Sequence, residues 1–147
     1  GVSLGAASFV LAQVQPAPSA VVLESMFPSI TEAVTDRLRL HLGAAGPALA
    51  PLLLWQLPLR LSVSPSQLQP LAEMATLHAP VLILAGTADQ HTPLAETLRI
   101  FEAAAAPKDL WLVQDAAHVD LHAIAPQEYE ARIGAFLARH LHAHAPT

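Results

Sequence analysis

Cysteine is absent from the 147-residue chain, and lysine nearly so: Lys108 stands alone beside six scattered arginines. Without cysteine there is no disulfide, no thiol nucleophile and no cysteine-based zinc site. Charge is scarce too. Charged residues make up 13% of the chain, against roughly 25% in an average soluble domain. Lys+Arg number 7 and Asp+Glu 12, a net charge of −5 with histidine neutral. So few cations build no basic patch to neutralise phosphates, and nucleic acid is not expected as a partner. Hydrophobic residues reach 53%, which excludes a disordered chain and implies that part of the surface is meant to be covered. The length supports one domain with a real core, not two. The first residues read like the middle of a protein, so N-terminal targeting information is missing and the cytoplasm is taken only by default.

Between Arg39 and Arg60 there is no charge unless His41 is protonated. That run is about long enough to cross a bilayer. Gly43, Gly46, Pro47, Pro51 and Pro58 interrupt it, however, and argue against a continuous spanning helix. The expectation is a proline-punctuated helical excursion at about residues 41–70, with no membrane partner.

Around this excursion, helical and strand patterns alternate. Ala6–Val14 predict a short helix stopped by Pro16 and Pro18, and Ala20–Leu23 a short buried strand ending at Glu24. Ser29 with Glu32 reads as a capping box, after which Ile30, Val34, Leu38 and Leu42 share one helix face. Ser66–Leu77 predict a further short helix or turn. Val81–Ala85 are apolar throughout, the mark of a strand buried on both faces in a parallel sheet. A turn follows at Gly86–Asp89, then a helix over Leu94–Ala105 with Pro93 at its first position. Leu110–Val113 predict the last strand, Asp115–His118 a loop, and Pro126–Leu141 a final helix with Tyr129, Ile133, Phe136 and Leu137 on one face. The class is α/β, a parallel sheet with flanking helices. The alternating histidines His140, His142 and His144 read as a polar terminus.

Gly1-Val2-Ser3-Leu4-Gly5 matches G-x-S-x-G, a strained turn that exposes a serine between strand and helix. The flanking glycines allow close backbone approach. The N–H of Leu4 is then placed to meet a developing oxyanion, with the positive end of the following helix behind it. By itself the pattern is also that of a helix-starting serine. Asp89 and His118, however, each follow a strand. In a parallel sheet the strand ends gather at one edge, and the chain order is Ser…Asp…His.

These segments together resemble an α/β-hydrolase of the serine aminopeptidase-like or dienelactone hydrolase-like group. The resemblance rests on G-V-S-L-G-A at 1–6, A-V-V-L-E-S at 20–25, A-P-V-L-I-L-A-G-T-A-D at 79–89 and A-A-H-V-D-L at 116–121. It implies the C-terminal half of that fold, beginning at the elbow, in a single partial domain over 1–147. It implies Ser3 as nucleophile, His118 as base and Asp89 as acid, with Leu4 giving half of an oxyanion hole. The implied reaction is hydrolysis of a small-molecule ester or amide through an acyl-serine, with no cofactor and no metal. Such hydrolases have strands before the elbow, so a piece of a longer protein is expected. The resemblance gives neither substrate nor oligomeric state.

Several alternatives stay open. Some α/β-hydrolases carry their acid where Glu24 stands, which makes Glu24 the rival to Asp89. Asp120 is expected to cap a helical turn, Asp115 to sit in a loop, His122 to face solvent and His91 to lie outside the site. Trp55 and the leucines around it resemble a small lid, or equally a helix pair packed at the sheet edge. A non-catalytic binding protein on the same fold is the alternative function, against which an intact Ser3, Asp89 and His118 argue. A dinucleotide-binding reading fails because G-x-G-x-x-G is absent.

Overall fold

The computed structural model describes residues 1–141. His142 and His144 of the histidine run therefore lie outside the described residues. Three strands, β1 (Val21–Glu24), β2 (Val81–Gly86) and β3 (Lys108–Val113), form a parallel sheet in that spatial order. Val21 pairs with Val81 and Val81 with Lys108, so the strands start level. Ahead of β1, Val2 makes a parallel bridge with Glu24, so the residues before Ser3 run beside β1.

The helices are α1 (Leu4–Ala12), α2 (Ile30–Leu42), α3 (Ala50–Leu54), α4 (Gln56–Leu61), α5 (Pro70–Glu73), α6 (Leu94–Ala103), α7 (Leu121–Ile124) and α8 (Pro126–Leu141). Every residue of β2 is buried, as its unbroken apolar run requires. Alternation then divides it between two cores. Val81 and Ile83 face Ala6, Val10, Met74 and Ile100 on one side of the sheet. Leu82 and Leu84 face Trp111, Leu121 and Phe136 on the other, where Tyr129, Ile133 and Leu137 of α8 join them.

The boundaries differ from expectation for local reasons. β3 begins at Lys108, not Leu110, because polar Lys108 and Asp109 pair with Val81 and Leu82 although they break the apolar pattern. The Lys108 ammonium donates to the carbonyls of Phe101 and Glu102 at 2.8 and 2.9 Å, placing a cation at the end of α6 where the helix dipole favours it. Pro93 is the N-cap of α6 and not its first residue, with extended ψ of 149° and a carbonyl that accepts from Glu96 N–H. The helix ends at Ala103 instead of Ala105 because Ala104 is already extended. The capping interaction at Ser29 is present, with its hydroxyl oxygen accepting from Glu32 N–H at 3.1 Å.

The stretch Ile30–Leu61 is long and apolar enough to cross a membrane by length and composition. Its backbone does not run straight. At Gly43 (φ 66°, ψ −151°) the chain leaves α2 and passes through a 3-10 segment, Gly43–Leu49, into α3 and α4. A Cβ on Gly46 would lie 2.2 Å from the Leu38 carbonyl oxygen, so the excursion folds back against α2.

The ends of β2 and β3 are stitched together. Thr87 N–H donates to Val113 O at 3.0 Å and Ala88 N–H to Ala116 O at 2.9 Å. Asp115 N–H donates to the Thr87 hydroxyl at 2.8 Å. Gly86 makes this approach possible, since a Cβ there would sit 2.1 Å from the Ala116 carbonyl oxygen. Gly86→Ala is expected to lower the unfolding free energy by about 1–3 kcal/mol through overpacking. Gly134→Ala, in α8 where a Cβ meets open space, is expected to gain up to about 1 kcal/mol from helix propensity. Urea midpoints of the two variants check this, and equal midpoints would contradict the close approach at Gly86.

Candidate active site

Ser3 holds φ 48° and ψ −116°, a sparsely populated conformation for a residue with a Cβ, costing on the order of 1–3 kcal/mol. Hydrogen bonds fix it there. Ser3 N–H donates to Glu24 O at 2.7 Å, and Glu24 N–H to Gly1 O at 2.9 Å. Gly5 N–H and Ala6 N–H both donate to Val2 O, and Ala7 N–H to Ser3 O. The first glycine of the motif is needed sterically, since a Cβ on Gly1 would lie 3.0 Å from Ala6 N. The second is not: Gly5 has open space where a Cβ would point. Leu4 opens α1, and its N–H finds no backbone acceptor among the described residues. It is the free donor that a helix start leaves over.

Asp89 ends the turn after β2 with its side chain wholly buried. One oxygen, Oδ1, accepts from the N–H groups of His91 and Thr92 at 2.8 and 2.9 Å. The other, Oδ2, accepts from the Thr92 hydroxyl at 2.7 Å and faces His118 Nδ1 at 2.8 Å. Burial works against the charge on Asp89. The Thr92 N–H, the Thr92 hydroxyl and His118 outweigh it and hold the carboxyl below its ordinary value. An ionised carboxylate only accepts, so Nδ1 of His118 donates and Nε2 is left as the free acceptor.

Ser3, Leu4, Thr92 and His118 share the wall of one cavity of about 320 Å³. Ile30, Ala33, Val34 and Leu38 of α2 supply most of the opposite wall, with Phe27 and Leu53. The apolar face of α2 thus serves a cavity instead of the core, and Leu42 at its end is exposed. From the excursion it is Leu53 that reaches the cavity. Trp55 is 66% exposed and takes no part in the wall.

Glu24 is also buried, but its carboxylate is bound elsewhere. Its oxygens accept from the Tyr129 hydroxyl at 2.9 Å and from Leu121 N–H at 3.4 Å. Burial, with Glu24 beside it, pushes the Tyr129 hydroxyl up to about 12. His118 has no hydrogen bond to Glu24. Asp120 caps α7, accepting from the N–H groups of His122 and Ala123. Asp115 lies exposed in its loop, and His122 is exposed beside Glu130 at 3.1 Å.

His91 is a correction. It belongs to the cavity wall, its ring centre is 5.0 Å from that of His118, and its N–H helps hold Asp89. The spacing Asp89-Gln90-His91 carried the signal, since an aspartate accepts readily from the N–H two residues on. Burial first, then the neighbouring Arg37 guanidinium, push the His91 imidazole below its usual value. Among the described residues no group of three or more His, Asp or Glu is placed to hold a metal.

Asp36 of α2 and Glu96 of α6 are a second feature the sequence did not disclose. Both are buried, and Asp36 Oδ2 and Glu96 Oε2 have no donor. The other Asp36 oxygen meets Arg39 at 2.7 Å. Burial first, then the Asp36 carboxyl beside it, push Glu96 up to about 8, with Glu32 adding to the shift and Arg99 opposing it. Two buried carboxyls on α2 and α6 thus share too few donors for both to be charged, and Glu96 keeps its proton. Between the ordinary glutamate value and about 8 the folded protein holds a proton that the unfolded chain has lost, so the contribution to stability falls as pH rises across that window. The unfolding free energy of the wild type is expected to decline from pH 5 to pH 8 relative to that of Glu96→Gln. A difference flat in pH, measured by urea denaturation, would show that no proton is held there.

Comparison with known proteins agrees with the fold. No family model matches the chain. Two uncharacterized proteins, from two strains of Mycobacterium tuberculosis, are each 37% identical over 123 residues, covering 82% of this chain and 37% of theirs. The esterase domain of a Rhodothermus marinus protein superposes with a TM-score of 0.67 at 20% identity, over 95% of this chain and 58% of that one. An esterase of Pyrococcus furiosus gives 0.68 at 20% identity, over 95% and 52%. The chain thus spans little more than half of these structures and about a third of the curated relatives. Its fold is that of the α/β-hydrolases.

Proposed function

We propose that this chain carries the catalytic residues of a serine hydrolase that cleaves an ester or amide through an acyl-enzyme. The observation that carries the reading is the 2.8 Å contact between His118 Nδ1 and buried Asp89 Oδ2, in a cavity whose wall also includes Ser3. The esterase folds it resembles support the same chemistry. His118, held as the Nδ1–H tautomer, takes the Ser3 proton at Nε2 while Ser3 Oγ bonds to the scissile carbonyl carbon. The carbonyl oxygen gains the negative charge and accepts from Leu4 N–H at the start of α1. The C–O or C–N bond then breaks, and His118 returns the proton to the leaving group. Water repeats the two steps on the acyl-serine and frees the acid. Asp89 fixes the tautomer and stabilises the imidazolium, which its hydrogen-bonded charge suits it to do.

A fluorophosphonate probe is expected to label Ser3, as mapped by peptide mass spectrometry. Asp89→Asn is expected to cost on the order of 10⁴ in kcat through the wrong tautomer. Glu24→Gln is expected to cost far less, because Glu24 is bound to Tyr129. Labelling at another residue, or the reverse ranking of the two acids, would reject the assignment. A folded protein with neither labelling nor turnover would favour the non-catalytic binding protein.

A further inference from the structure

Arg37 is the one arginine in the cavity wall, on the exposed side of α2 at the cavity's rim. It makes no ion pair or hydrogen bond among the described residues, unlike Arg39, Arg99, Arg132 and Arg139. Its own helix offers no partner. One turn away on either side stand Ala33, Val34, Leu40 and His41, none of them acidic. Asp89 cannot serve Arg37. Its two oxygens already take four donors, which fills the lone-pair capacity of a carboxylate. Glu32 and Asp36 are engaged with Arg99 and Arg39. The cavity therefore combines an apolar wall, a serine and an uncommitted guanidinium.

We propose that Arg37 selects a substrate whose acyl chain ends in a carboxylate, with the chain lying along the apolar face of α2 and the carboxylate paired to the guanidinium. The inference rests on the hydrolase reading and names its substrate class. A guanidinium presents a planar fork that matches a carboxylate with two parallel hydrogen bonds. Ile30, Val34 and Leu38 lie on the same side of α2 and supply the surface for the methylenes between the two ends. A neutral ester of the same length would leave the guanidinium without its anion. A charge-assisted hydrogen bond discriminates by about 10- to 100-fold.

The test compares kcat/KM for the mono-p-nitrophenyl esters of adipic, pimelic and suberic acids with those for p-nitrophenyl hexanoate, heptanoate and octanoate. Binding of hexanoate and of its neutral amide, hexanamide, is measured alongside by calorimetry. The charged ester is expected to be preferred by about tenfold or more at one chain length. Arg37→Gln is expected to abolish that preference and Arg37→Lys to keep part of it. A preference that survives Arg37→Gln, or a wild type that prefers the neutral ester, would overturn the proposal. If neither ester is cleaved and Ser3 is not labelled, the hydrolase reading fails. Arg37-dependent binding of hexanoate over hexanamide would then still support the carboxylate site, and equal binding of the two would remove it.

Discussion

The hydrogen bond between Asp89 and His118 exists because β2 and β3 run parallel and finish side by side. Parallel pairing brings Gly86 opposite Val113, so the turn after one strand meets the loop after the other. The absence of a side chain on Gly86 lets the Ala116 carbonyl approach until Ala88 can donate to it. That contact sets the position of the loop carrying His118. Its cost is small beside what it holds in place, namely a carboxylate removed from water. Four hydrogen bonds keep the Asp89 charge against the desolvation that would neutralise it.

A second constraint acts at Ser3. The strained backbone there persists only because the surroundings over-determine it. Val2 and Ser3 are locked to Glu24 by the sheet, and α1 starts directly behind them. The same arrangement leaves Leu4 N–H without a partner. A strained serine, a free backbone donor and the positive end of α1 thus arise from one junction and need no separate explanation.

Against these fixed elements stands a wall of different character. α2 gives the cavity its apolar face and carries Asp36, which with Glu96 of α6 makes two buried carboxyls with too few donors for two charges. Beyond Gly43 the chain folds back instead of running on. The cavity thus has one edge made by strand ends and one wall made by α2, and Arg37 stands on that wall.

The amino-acid order by itself determined the parallel α/β class and the edge where Ser3, Asp89 and His118 gather. Those features are local. Val81–Ala85 announce a doubly buried strand by unbroken hydrophobicity, and the small and polar residues after it announce its end. The α8 face, the Ser29 cap and the Asp120 cap are legible for the same reason, since each depends on neighbours within a few residues. Tertiary structure alone decided that Asp89 and not Glu24 meets His118, because Glu24 is claimed by Tyr129, 105 residues away. It also decided that His91 packs against His118 with its ring tilted, that Leu53 and not Trp55 reaches the cavity, and that Asp36 and Glu96 are both buried without full partners. Each of these contacts joins separate elements across a packing interface. No spacing in the chain encodes such a meeting; it follows from how helices settle on the sheet.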